Sequence, residues 1–420
     1  MTGLPRQGPR PLALHVNIAM TVLLSSPGGL PFLNDASLLW KPELRDRASA
    51  LAAQVLEAER NLKTSNPGLN DSMASAVDRE MRRRLGRFFT GVERYRHHPY
   101  RRTLEDPPTV WSEGGSRLLD FGHTNGAALD GRPVLFVPSL VNRAYILDLS
   151  PTRSMLRWLA RQGIRPLMID WGVPGDLERR YTLTDYIAGR LDRALDSAIA
   201  LTGRPVAAVG YCMGGLLAAA LALRRPRDID ALCLAATPWD FAGEDRATAR
   251  LAMQFTALFG PALDLWGELP VDALQAMFAQ VDPLMALRKF SQFGRLEGTS
   301  PQAENFVALE DWLNDGIPLV AAVARDCLAG WYGRNDPACG NWLVAGLPVE
   351  PQALRLPTLA LVPGNDRIVP PASALALARL IPGTEIMTPP LGHIGMVVSA
   401  GARNQVWHPL ADWLLANGGH

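Results

Sequence analysis

Little in this 420-residue chain invites a charge-driven partner. Its 42 Lys and Arg stand against 41 Asp and Glu, a formal net charge of +1, and no block of Lys or Arg breaks the balance. Non-specific nucleic-acid binding needs such a block, so no nucleic acid is expected as a partner. Cysteine is sparse. The four, Cys212, Cys233, Cys327 and Cys339, form no CxxC pair and no Cys/His cluster with zinc spacing. No metal or cofactor is expected, and a reduced, cytoplasmic setting is the simpler reading. Internal repeats and low-complexity tracts are absent. The apolar run "PLALHVNIAMTVLL" is too short to span a bilayer and is interrupted by His15 and Asn17. Arg6 and Arg10 precede it as in a signal peptide, but no A-x-A cleavage site follows.

Apolar residues, by contrast, are plentiful. The chain is 48% hydrophobic and 20% charged, which suits a packed core in one large domain with additions, or in two domains. Within the N-terminal run, Leu12, Val16, Met20 and Leu23 recur at helical spacing. Two readings fit: a helix packed on the protein's own core, or an amphipathic segment for a lipid-like or hydrophobic-polymer surface. Residues 1–107 hold no strand-like runs and are predicted to be helical. "RDRASALAAQVLEAERNL" is rich in helix formers, "SNPGLNDS" breaks it, and "MASAVDREMRRRLGRFF" forms a further helix.

Strand-like runs begin near residue 109. "TVWSEGGSRLLDFG" predicts a hairpin around Gly114-Gly115. The apolar runs "PVLFVPSL", "RPLMIDWG", "VAAVGYC" and "ALCLAATPW" follow, separated by helical patterns. Such alternation implies βαβ units and a parallel sheet covered on both faces. It stops after Trp239 and resumes at "LPTLALVPGND" and "TEIMTPPLGHIG". The expected organisation is therefore a helical N-terminal region over 1–107, an α/β core over 108–240 and 356–420, and a cap insertion over 241–355. An insertion there would sit over the strands' C-terminal ends, where open α/β sheets bind ligands.

The stretch Gly210-Tyr211-Cys212-Met213-Gly214-Gly215 reads as a nucleophile elbow. Its sharp strand-to-helix turn excludes side chains at the flanking positions and exposes the central one. The helix N-terminus behind Cys212 favours a thiolate. An elbow enzyme needs an acid and then a histidine later in the chain. Asp366 in "VPGNDRIVPP" ends a strand, and His393 in "PPLGHIGMV" follows the next. Asp366 could also be a turn-former and His393 a satisfied loop histidine. His408, in "NQVWHPL", lies at no strand end. Two backbone N–H groups should form an oxyanion hole: that of Met213, after the nucleophile, and one from the loop "VPSLVNRAYILDL", for which Val141 is the choice. A thiolate attacking a thioester makes another thioester, still activated for transfer. A serine would make an oxygen ester. A cysteine elbow therefore suits an acyltransferase fed by coenzyme A thioesters.

These motifs carry a family resemblance. Over roughly residues 130–405 the chain resembles the polyhydroxyalkanoate synthases, in "SLVNRAYILDL", "LMIDWGVP", "YTLTDYI", "GYCMGG", "DRIVPP" and "GHIGMVVSA". The resemblance implies an α/β-hydrolase fold with a mostly parallel sheet, a helical N-terminal region and a helical cap. It places nucleophile, acid and base on Cys212, Asp366 and His393. It further implies polymerisation of 3-hydroxyacyl-CoA with release of CoA, a homodimer, work at a polyester granule surface, and a second synthase subunit as a candidate partner. There are departures: Arg367 stands where the family has His after its catalytic Asp, and a family W-N-x-D segment appears only as the stretched "GWYGRNDP", Trp331 to Asp336. The alternative on the same fold is a thiol-dependent hydrolase, that is, an esterase, thioesterase or polyester depolymerase.

Overall fold

The computed structural model describes residues 6–29, 42–65, 73–242 and 247–417. The chain forms two units, one of Met1–Tyr100 with Asp282–Asn314, the other of Arg101–Val281 with Asp315–His420.

The second unit is built on an eight-stranded sheet of β1 (Thr109–Glu113), β2 (Ser116–Asp120), β3 (Arg132–Val137), β4 (Ile164–Asp170), β5 (Val206–Tyr211), β6 (Ile229–Ala235), β7 (Thr358–Leu361) and β8 (Glu385–Met387), in the order β1-β2-β4-β3-β5-β6-β7-β8. The β1–β2 hairpin is antiparallel, β2 runs antiparallel to β4, and every other pairing is parallel. The expected hairpin turns at Gly114-Gly115, where Gly114 takes φ +55° and a Cβ on Gly115 would lie 2.7 Å from the Val173 carbonyl oxygen. Every residue of β3, β5 and β7 is buried. That is why these strands read as unbroken apolar runs, as expected for a sheet covered on both faces.

Between β6 and β7 the chain leaves the sheet for a long excursion. In this unit it forms the helices Ala247–Trp266, Val271–Ala279 and Ala321–Arg325, the last continuing into a wide, π-helical turn at Asp326–Arg334. The stretch read as one cap is not structurally uniform, because Asp282–Asn314 belongs to the other unit.

That first unit is built of helices and connecting turns, with no strand among its described residues. Helix Met73–Arg96 carries Phe88, Val92 and Tyr95 into a core shared with Phe290 and Phe293 of helix Met285–Phe293, and with Ala303 and Val307 of helix Pro301–Asn314. Phe290 meets Phe88, Tyr95 and Phe306 edge-on, with ring centroids 6.4, 5.6 and 5.4 Å away, a favoured aromatic arrangement. Gly91 permits the close crossing, since a Cβ there would sit 1.9 Å from the Phe290 carbonyl oxygen. Helix Leu12–Gly29 buries Ala19 in this core and rests Leu12 and Val16 against it, while Met20 stays 40% exposed. Of the two readings of the N-terminal run, packing on the protein's own core is thus realised on the Val16 face. Among the described residues, no helix is long and apolar enough to cross a membrane.

Candidate active site

Three loops at the C-terminal ends of β5, β7 and β8 carry the site. The first is the elbow. Cys212 caps helix Met213–Arg224 with φ 56° and ψ −128°, a conformation that side chains rarely adopt and that stores strain at a tight turn. The flanking glycines are required by space. A Cβ on Gly210 would lie 2.3 Å from Gly215 Cα, one on Gly214 1.9 Å from the Val137 carbonyl oxygen, and one on Gly215 1.8 Å from Thr237 Oγ1. Strand, turn and helix are pressed together, and the partly exposed Cys212 is left at the tip.

Asp366 and His393 sit on two loops that are stitched together. The amides of Gly364 and Asn365 donate to the carbonyls of Pro389 and Leu391 at 2.9 and 3.0 Å. The Asn365 side chain donates to the Pro390 carbonyl at 3.2 Å. Asp366 Oδ1 accepts the amides of Ile368 and Val369 at 2.8 and 2.9 Å, so the turn-forming role is real. Its other oxygen, Oδ2, accepts the His393 Nδ1–H at 2.7 Å. One carboxylate therefore shapes its loop and orients the imidazole. His393 is only 8% exposed. Burial works against its charge, but the negative charge and hydrogen bond of Cys212, with the carboxylate of Asp366, outweigh burial and raise the imidazole to a pKa of about 10. The three residues that the sequence marks are thus brought together. His408 is elsewhere, edge-on to Trp158 with ring centroids 4.5 Å apart.

The two expected oxyanion donors differ in state. Met213 is the first residue of its helix, where an N–H has no intrahelical acceptor. The Val141 N–H already donates to Ser139 Oγ at 3.1 Å; that hydroxyl would have to turn away to free it. The loop bearing Val141 is held by a contact that the sequence did not signal: Trp171 Nε1–H donates to the Pro138 carbonyl at 3.0 Å.

From the long excursion, Tyr332 and Cys327 come near enough to feel the charge at Cys212. Burial first, and that charge second or third, push both well above their ordinary values. Tyr332 meets Phe241 at 4.9 Å, and Phe241 stacks on Trp331 at 5.7 Å. Asn335 ties this wall to the loop after β6, accepting the Phe241 amide and donating to Asp240 Oδ1, both at 2.9 Å. All four cysteines are free thiols. Among the described residues, no group of His, Cys, Asp and Glu could hold a metal ion.

Residues 132–400 match the α/β-hydrolase fold family. Among curated relatives, the poly(3-hydroxyalkanoate) polymerase subunit PhaC of Haloferax mediterranei is 31% identical over 72% of this chain and 62% of its own. The protein of the same name from Synechocystis sp. is 30% identical over 67% of this chain and 77% of its own. That from Allochromatium vinosum is 29% identical over 73% of this chain and 87% of its own. With such identity across most of a relative's length, on the matching fold, the chain belongs to the poly(3-hydroxyalkanoate) polymerase family of α/β-hydrolase proteins.

Proposed function

We propose that this chain polymerises 3-hydroxyacyl-CoA thioesters through an acyl-enzyme on Cys212. The observation that carries the reading is the contact chain itself: a thiol at an elbow tip, a histidine bonded to it, and a carboxylate 2.7 Å behind the histidine.

The chemistry follows from who holds the proton. His393, whose basicity its partners raise, takes the thiol proton of Cys212 to give imidazolium beside thiolate. The thiolate attacks the thioester carbonyl, and the Met213 N–H, with Val141 once Ser139 releases it, receives the oxyanion. Collapse breaks the carbonyl–sulfur bond of the substrate. CoA leaves with the proton from His393, whose imidazole becomes neutral. The negative charge that had raised its pKa has now gone into a neutral thioester, so the imidazole is ready to act as a base. The hydroxyl of a second hydroxyacyl group attacks the acyl-Cys212 thioester and gives its proton to His393. The second collapse makes an ester and regenerates the thiolate–imidazolium pair. Asp366 stabilises the imidazolium and fixes its tautomer in that step.

The same reading assigns a polyester granule surface in the cytoplasm as the place of work, a homodimer as the working form, and the excursion around Tyr332 as a cap that limits water at the acyl-thioester. The word "subunit" in the relatives' names supports testing for a second synthase subunit.

Purified protein given a 3-hydroxyacyl-CoA should release CoA and yield an equivalent amount of ester-linked product. Release of one CoA per chain without polymer would indicate a missing partner subunit. Free 3-hydroxy acid as the sole product would replace the reading with that of a thiol-dependent hydrolase. Cys212→Ala should abolish both release and acyl labelling.

A further inference from the structure

We propose that Tyr211 is a positioning residue that ties the base His393 to the strand carrying the nucleophile. This rests on His393 acting as the base of the site. Asp366 holds the imidazole at one atom, Nδ1, and the stitched loops carry both residues as one block. None of those bonds relates the block to the elbow. Tyr211 does. It is the last residue of β5, next to Cys212 in the chain, and its phenol O–H donates to the His393 main-chain carbonyl at 3.1 Å. Its ring lies alongside the imidazole, with centroids 5.2 Å apart and planes inclined by 33°. The side chain is 7% exposed.

Two consequences follow. The separation of nucleophile and base is set through one peptide link and one buried hydrogen bond, rather than through the whole sheet. Reaction geometry is sensitive on this scale, where a misplacement of about 1 Å costs on the order of a hundredfold in rate. The ring also presents its electron-rich side to a group that is cationic in the thiolate–imidazolium pair, an arrangement that favours the charged imidazole. Burial of a tyrosine alone would require only some acceptor for its hydroxyl. Here both the acceptor and the neighbouring ring belong to the proposed base.

The test compares Tyr211→Phe, Tyr211→Leu and His393→Gln in the full chain, with circular dichroism to confirm folding. Rapid-quench CoA release on one enzyme equivalent reports acylation, and NMR of labelled histidine reports the pH at which the His393 ring titrates. Tyr211→Phe should slow acylation about tenfold or more with KM unchanged and leave the titration near its native position, because the ring remains. In Tyr211→Leu the rate should fall further and the titration should move down by about half a pH unit. Native acylation and titration in folded Tyr211 variants, with His393→Gln inactive, would overturn the positioning role and leave the base assignment standing. A His393→Gln protein that still releases its CoA would overturn both. If Tyr211→Leu does not fold, the rate of Tyr211→Phe decides, since it removes a single oxygen atom.

Discussion

At the residue scale, the proposed mechanism makes different demands on Asp366 in its two half-reactions. Acylation would start from an ion pair that needs no alcohol deprotonated. Elongation would need His393 to take a proton from a hydroxyl, without the neighbouring thiolate that raises its basicity. The carboxylate at 2.7 Å is then the remaining negative partner. Asp366→Asn is expected to keep a burst of about one CoA per site and to lose steady turnover, read by rapid quench. Equal loss of both phases would mean that the acid also serves acylation. The thiols divide similarly by environment. Cys233 and Cys327 are buried, and burial pushes both thiols up, whereas Cys212 is partly exposed and Cys339 exposed. Brief alkylation of the native protein should modify Cys212 and Cys339 and spare the other two, as peptide mass mapping would show. The meeting of Cys212, Asp366 and His393 at one end of the sheet was legible because the elbow's glycines and the strand ends leave few other positions for them. Tyr211 was not, since its position in the G-x-C pattern constrains no side chain. The Val141–Ser139 bond is likewise a matter of loop conformation, which spacing does not report.

At the element scale, helix Leu12–Gly29 shows what periodicity can and cannot say. It located the helix and its apolar positions. It did not separate Val16, which rests against the core, from Met20, which is 40% exposed, because residues four apart point only about 40° from one another around the axis, and spacing does not say where the edge of the stripe falls. The cover for that stripe includes Phe290 and Val307, far along the chain and invisible to local pattern. Val16→Asp is expected to destabilise the unit by about 1–3 kcal/mol, from an unpaired polar group set against apolar neighbours. Met20→Asp should change stability by less than about 0.5 kcal/mol. Chemical denaturation of the two variants would show the difference, and equal losses would refute this assignment of faces.

At the scale of the whole molecule, the chain visits its helical unit twice, first through Tyr100 and again from Asp282 to Asn314. The sheet was legible because each strand announces itself by a short apolar run between helical patterns. The second visit was not, because "MALRKFSQF" and its neighbours look like any other cap helices, and only packing reveals which unit they join. Removing residues 1–100 would therefore not trim an independent appendage. It would strip Phe290, Phe293 and Phe306 of Phe88, Val92 and Tyr95. Such a truncation is expected to aggregate, as a fresh apolar patch of this kind does. Size-exclusion chromatography would reveal it, and a soluble, monodisperse product would contradict the expectation.

The stitching of the Asp366 and His393 loops has a mechanical consequence. The Asp366 and His393 loops form one block on one side of β6, and Cys212 sits at the end of β5 on the other. The Tyr211 bond to the His393 carbonyl bridges that division, so a shear between the two sides would have to break a buried hydrogen bond before it parted the imidazole from the thiol. The carboxylate and the imidazole, stitched to each other, would travel together through any such slip.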